Sequence, residues 1–217
     1  MRPLTDACPK PLLVVRGKPL LQYHLEALAR AGCEEVVVNT AWLGEQIEQR
    51  FGEGGRGWPR IVYSREAHDF GGALETAGGI ARALPLLADV FWLAAGDVYV
   101  PDFEFSRAAM ARFAASGKLA HLVFVPNPPQ HPNGDFGLRA DGLAISHAPQ
   151  QFTYSTIGLY RKALFLDLPS GNAQGIKAPL APLLRSGMDN GSITAEIYTG
   201  TWADVGTPQR LAHLNAS

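Results

Sequence analysis

Four short stretches carry residue types that could do chemistry on phosphates. Pro9-Lys10-Pro11-Leu12 fixes one cation between two prolines. One proline locks φ and the other restricts the residue before it, so the lysine rides on stiff backbone. Such a lysine suits a phosphate clamp, although solvated lysines in proline-bearing loops are common. Ala95-Gly96-Asp97-Val98 puts an acid directly after an apolar run. Ligands of open α/β sheets lie outside the carboxyl ends of the strands, and an acid there either holds Mg²⁺ or caps a helix. Trp202-Ala203-Asp204-Val205-Gly206-Thr207 offers a second acid, Asp204, placed to share a Mg²⁺ with Asp97. Thr207 followed by Pro208 reads as a helix start. Leu74-Glu75-Thr76-Ala77-Gly78-Gly79-Ile80 sets two glycines at a helix opening, where a ligand could approach the backbone.

The elements that must position these residues follow from the apolar pattern. Leu12 to Val15 is a short run closed by Gly17-Lys18-Pro19, and Leu21, Leu25 and Leu28 recur at helical spacing up to Gly32. Val36-Val37-Val38 is a β-branched run of the kind buried on both faces of a parallel sheet. Residues 43–51 read as a helix, 61–63 as a strand, 78–87 as a helix and 90–95 as a third strand. Alternating strands and helices predict parallel pairing with helices on both faces. After Gly117 the rhythm changes. Residues 119–125 and 152–160 read as strands, and Asp141-Gly142 marks a hairpin between 136–139 and 143–146. The fold class is α/β: a Rossmann-like, mostly parallel sheet carrying an antiparallel inserted lobe, in one domain over 1–217.

Composition excludes several classes. With 217 residues, 47% hydrophobic and 18% charged, the chain has material for a sizeable core. A net charge of −1 gives no broad attraction for nucleic acid, so an anionic ligand needs a local site. No apolar run approaches a membrane span, and residues 1–5 lack the apolar stretch of a signal peptide. Cys8 and Cys33 make neither a metal pattern nor a disulfide framework. A cytoplasmic location, with no nucleic-acid or membrane partner, is expected.

Taken together, Arg2-Pro3-Leu4-Thr5, Pro9-Lys10-Pro11-Leu12, Gly96-Asp97 and Trp202-x-Asp204-x-Gly206-Thr207 resemble, in that order, the sugar-1-phosphate nucleotidylyltransferases. The resemblance covers essentially the whole chain and implies the nucleotide-diphospho-sugar transferase fold. Asn39 to Gly44, Leu74 to Ile80 and Gly134-Asp135-Phe136 look closest to the subgroup that uridylylates N-acetylmuramate 1-phosphate in cell-wall recycling. Mannose-1-phosphate guanylyltransferases share much of this, and a non-catalytic sugar-nucleotide-binding regulator is the alternative from another class. By resemblance, a sugar phosphate oxygen attacks the α-phosphorus of a nucleoside triphosphate, UTP being favoured, and pyrophosphate leaves. Lys10 would hold phosphate oxygens, Asp97 and Asp204 the Mg²⁺ cofactor, and Thr76, Gly78 and Gly79 the nucleotide. Ala95, Asp135, Thr156 and Asp204 would meet the sugar 1-phosphate. Ala95 stands where the resemblance implies Asn, a departure that removes one side-chain contact. Lys177 reads as a surface lysine. A monomer or weak homo-oligomer is expected.

The family opens on a strand and a Gly-x-Gly-x-Arg-Met loop that cradles the triphosphate. Met1 falls on the methionine of that motif, so the resemblance implies a chain short by about 13 residues at its N-terminus.

Overall fold

Pro19 cannot continue a strand ladder, and the helix Leu20–Arg30 begins directly after it. It ends before Gly32, whose φ of 72° gives the left-handed exit that glycine adopts without strain. Its buried positions, Leu20, Leu21, His24, Leu25 and Ala27, recur at three- and four-residue spacing, which puts them on one face. The computed structural model describes residues 1–55 and 57–216. These form two compact units, each drawn from non-contiguous segments: Met1–Ala73, Ala95–Phe105 and Gly200–Ser217 in one, Leu74–Ala94 and Ser106–Thr199 in the other.

In the first unit, strand Glu35–Thr40 runs parallel to Trp58–Arg65, with Val37 opposite Val62, and Gly54–Gly55 pairs antiparallel on the far side. Leu21, Leu25, Ile47, Phe51 and Ile61 bury between this sheet, the Leu20–Arg30 helix and the helix Gly44–Phe51. The run Val36-Val37-Val38 was expected to be buried on both faces. All three are instead only partly covered, because their strand is the edge of a three-stranded sheet and has a neighbour on one side. A second ladder is only two residues long: Val98–Tyr99 pairs antiparallel with Ala203–Asp204. Leu13, Val15, Leu20, Tyr99 and Val205 pack around it. The helix Pro208–Ala216 starts as the sequence predicts, with Thr207 Oγ1 accepting from the Arg210 amide at 3.2 Å and Pro208 in first position.

The second unit holds a four-stranded sheet in the order Ile193–Ile197, Ala120–Val125, Thr153–Arg161, Val90–Ala94. The first pair is parallel and the other two are antiparallel. The α/β class therefore stands, but Val90–Ala94 finds its neighbour in the second half of the chain. Strand–helix alternation implies parallel pairing only where successive strands lie side by side. Leu122, Phe124, Tyr160, Phe165, Leu184 and Ile193 form the centre of this core. Asp141-Gly142 does turn a small hairpin, between Gly137–Leu138 and Ala144–Ile145. Among the described residues, no helix is long and apolar enough to cross a membrane.

The helix expected from residue 78 begins at Glu75. Its first amides are capped by the chain itself: Ala77 N and Gly78 N both donate to the Ala178 carbonyl, at 2.9 and 3.1 Å. Buried Asn172 holds the same loop by donating to the carbonyls of Gly78 and Ile176. A Cβ on Gly78 would stand 2.5 Å from the Ile176 carbonyl oxygen and 3.1 Å from the Ala178 nitrogen, both backbone atoms. A glycine inside a helix normally gains about 1 kcal/mol on replacement by alanine. Here the methyl must displace backbone, so Gly78→Ala is expected to cost roughly 1–3 kcal/mol instead. Chemical denaturation of the pair of proteins checks the sign.

His24 supplies a second expectation. Burial pushes its imidazole down from 6.5 to about 4, against weaker upward pulls from the Val98 carbonyl and Asp97. In the unfolded chain it takes up a proton near 6.5, whereas in the fold it stays neutral until about 4. Its contribution to stability is complete above pH 6.5 and is lost as the pH falls from 6.5 to 4, a total of roughly 3 kcal/mol. Unfolding free energy measured across that range should drop less steeply in His24→Gln than in the parent; equal slopes would refute the assignment.

Candidate functional site

In the first unit, three of the residues singled out by sequence lie on or beside short elements, and two of them, Lys10 and Asp97, come together. Lys10 begins a single 3₁₀ turn, Lys10–Leu12, flanked by Pro9 and carrying Pro11. Pro11 lies against Gly96, where a Cβ would be 3.4 Å from the proline Cγ. This contact sets the two backbones side by side, and Lys10 Nζ stands 3.4 Å from Asp97 Oδ2. Both side chains keep more than a third of their surface in solvent. An ion pair that exposed contributes at most about 1 kcal/mol, so stability does not explain the arrangement.

Asp204 is placed by the two-residue ladder. It pairs with Val98, the residue that follows Asp97 in the chain. Asp204 also has a cation of its own: Arg210 Nη1 donates to its Oδ2 and, at 3.3 Å, to its backbone carbonyl. Gly206 leaves room for this pair. A Cβ there would be 3.1 Å from both Asp204 Oδ2 and Arg210 Nη2, which accounts for the glycine in Asp-x-Gly-Thr. Ala95 is half-buried and offers only its backbone to a ligand.

The donor set suits a hard divalent cation. No group of three or more His, Cys, Asp or Glu side chains that could hold a metal stands together among the described residues. Mg²⁺ is commonly bound by one or two carboxylates, with waters and substrate phosphates completing its octahedron. A pair of carboxylates, Asp97 just before the Val98–Tyr99 strand and Asp204 opposite Val98, is compatible with that pattern.

The second unit gathers Asp135 and Thr156 at an irregularity of its central strand. Register slips between Tyr154 and Ile157, leaving Ser155 and Thr156 as extra residues in the ladder. Thr156 takes a φ of 67°, which a β-branched residue rarely adopts and which marks a built-in strain. Ser155 Oγ repairs the ladder, donating to Val123 O at 2.7 Å and accepting from Ile157 N at 3.1 Å. Asp135 was expected to accept from sugar hydroxyls. Its oxygens already accept from His131 Nε2 at 3.0 Å and from Tyr154 N at 2.8 Å, so a ligand would have to use the remaining lone pairs. Tyr154 itself is partly buried, and its hydroxyl shares a 2.6 Å hydrogen bond with buried Tyr160.

Gly78 and Gly79 do not present open backbone. Both are buried, and the close approach at Gly78 is made by the chain's own 176–178 segment. Thr76, in the first turn of that helix, is exposed, and Glu75 beside it holds a φ of 60°. Lys177 is a surface residue. Sequence reasoning passed over His24, His131 and Arg210. For His24 the signal was available, because its spacing from Leu20, Leu21 and Leu25 puts it on the buried face. Arg210 and His131 reach their carboxylates through turns whose geometry no apolar period reveals.

Comparison with known proteins places the chain in a family. The nucleotidyl transferase family matches residues 1–217. A relative from Neisseria meningitidis serogroup B, N-acetylmuramate alpha-1-phosphate uridylyltransferase, is 43% identical over all of this chain and 92% of its own. The protein of that name from Caulobacter vibrioides is 32% identical over 96% of this chain and 88% of its own. Among solved structures, one provisionally described as a glucose-1-phosphate thymidylyltransferase from Bacillus anthracis, in complex with a sucrose, superposes with a TM-score of 0.80. It is 16% identical and covers all of this chain and 89% of the other, a likeness of fold. The mixed α/β fold, the full-length family match and the 43% identical relative lead to one statement: the chain belongs to the nucleotidyl transferase family.

Proposed function

We propose that this chain transfers a uridylyl group from UTP to N-acetylmuramate 1-phosphate, releasing pyrophosphate, and works in the cytoplasm in cell-wall sugar recycling. The observation that carries the reading is the Lys10 Nζ–Asp97 Oδ2 approach of 3.4 Å beside the Val98–Asp204 rung, in a chain 43% identical to an enzyme of that name. In the reaction, an oxygen of the sugar phosphate forms a bond to the α-phosphorus of UTP while the bond from that phosphorus to the bridging oxygen breaks. Such transfers need positioning and neutralisation of charge more than covalent help from the protein. Lys10 supplies a fixed cation for phosphate oxygens, and its stiff proline-flanked backbone limits what it can reach. Asp97 and Asp204 would hold Mg²⁺, which supplies charge stabilisation at the phosphates when bound. Thr76 would face the nucleotide. The Ala95 backbone, Asp135 and Thr156 would face the sugar, with Asp135 oriented by His131 and the Tyr154 amide.

UTP with N-acetylmuramate 1-phosphate should be turned over far faster than GTP with mannose 1-phosphate. The reverse preference would make the chain a guanylyltransferase, the activity named for a 27% identical relative from Drosophila melanogaster. Lys10→Ala should lower kcat/KM by about 10²–10³, the scale of losing one transition-state contact. Its melting temperature should barely move, since the exposed pair contributes little. A kinetically silent Lys10→Ala would mean the lysine is an ordinary surface residue.

A further inference from the structure

The Leu20–Arg30 helix touches the chain on both sides of Asp97. Leu21 packs at Gly96, where a Cβ would stand 3.7 Å from its Cδ1. One turn later, His24 reaches the Val98 carbonyl, 3.1 Å from its Nε2. A carbonyl oxygen only accepts, so the imidazole carries its proton on Nε2 and donates it there. His24 is 3% exposed and is the one polar side chain among the residues this helix buries. A leucine or methionine would fill the same space without the cost of burying an imidazole. What the imidazole adds is a donor to the carbonyl of one particular residue, Val98, which is next to one candidate metal acid in sequence and opposite the other in the ladder. Val98 follows Asp97 in sequence and lies opposite Asp204 in the ladder. With only two residue pairs, Val98–Asp204 and Tyr99–Ala203, the ladder offers few backbone bonds of its own to hold this position.

We propose that His24 is a positioning residue for nucleotidyl transfer: its hydrogen bond to the Val98 carbonyl sets where the Asp97 and Asp204 carboxylates stand to receive a divalent cation. The inference rests on the reading of those two acids as metal ligands. It does not depend on which nucleotide or sugar is used. Groups that orient metal ligands without touching the metal commonly account for tenfold or more in metal affinity.

Mn²⁺ affinity of the protein, measured by electron paramagnetic resonance of the free ion, tests this without turnover. A Mg²⁺ activation curve and the KM values for both substrates accompany it. His24→Phe and His24→Met keep apolar volume and lose the donor, and having both guards against one failing to fold. His24→Gln restores an amide donor of similar reach. Expected is a loss of Mn²⁺ affinity of about tenfold in the Phe and Met variants, with recovery to within about threefold of the parent in Gln. The Mg²⁺ activation midpoint should shift by the same factor while the KM for sugar 1-phosphate stays put. If the variants melt earlier but bind Mn²⁺ as the parent does, His24 is a core residue and the inference is overturned. A parent protein that neither binds Mn²⁺ nor needs Mg²⁺ would instead remove the metal reading itself, and this inference with it.

Discussion

The pairing of Val98 with Asp204 is the constraint on which the first unit's site depends. It brings residues more than a hundred positions apart in sequence onto one ribbon and sets the Asp204 backbone opposite Val98, the residue that follows Asp97. Two residue pairs are too few to form such a ladder unaided. The surrounding packing compensates: Tyr99 and Val205 are buried with Leu13, Val15 and Leu20, and the C-terminal helix adds Leu211 and Leu214. The apolar cluster is what makes so short a ladder persist. The acids stand at its margin, where solvent and ligands reach them.

Charge is arranged with similar economy. Each acid has a cation within the chain, Lys10 for Asp97 and Arg210 for Asp204. Both pairs are open enough to water to be weak, so an incoming divalent ion or phosphate can compete for them. Gly206 belongs to the same device, since any side chain there would crowd the Asp204–Arg210 pair. The second unit uses a different means to the same end. A slip in the Thr153–Arg161 strand forces Thr156 into a strained conformation, and Asp135 is tied to the adjoining Tyr154 amide. Bulges of this kind re-aim side chains and tend to occur beside functional sites.

Much of this was legible in the sequence, for reasons that differ by element. Helix Leu20–Arg30 announced itself because Leu21, Leu25 and Leu28 repeat at its period and Gly32 stops it. The Thr207-Pro208 start was legible because capping is local chemistry. Lys10, Asp97 and Asp204 stood out from the residues themselves and lie in one unit of the structure, with Lys10 against Asp97. The partial exposure of Val36-Val37-Val38 was not legible, since a β-branched run looks the same at an edge as in the middle of a sheet. Nor was the use of Gly78. A glycine at a helix start permits close approach, but the sequence does not say by what, and here the approaching group is the 176–178 backbone. The Val98–Asp204 ladder was beyond reach because two residues carry no period.

The central claim is that Asp97 and Asp204 act as one cation site. A double-mutant cycle on Mn²⁺ affinity, with Asp97→Asn, Asp204→Asn and the double variant, addresses it most directly. If the carboxylates share an ion, either single change should remove most of the affinity that the double change removes, because residues in one network are not additive. Losses that simply add, or an Asp204→Asn variant that binds Mn²⁺ as well as the parent, would contradict the account.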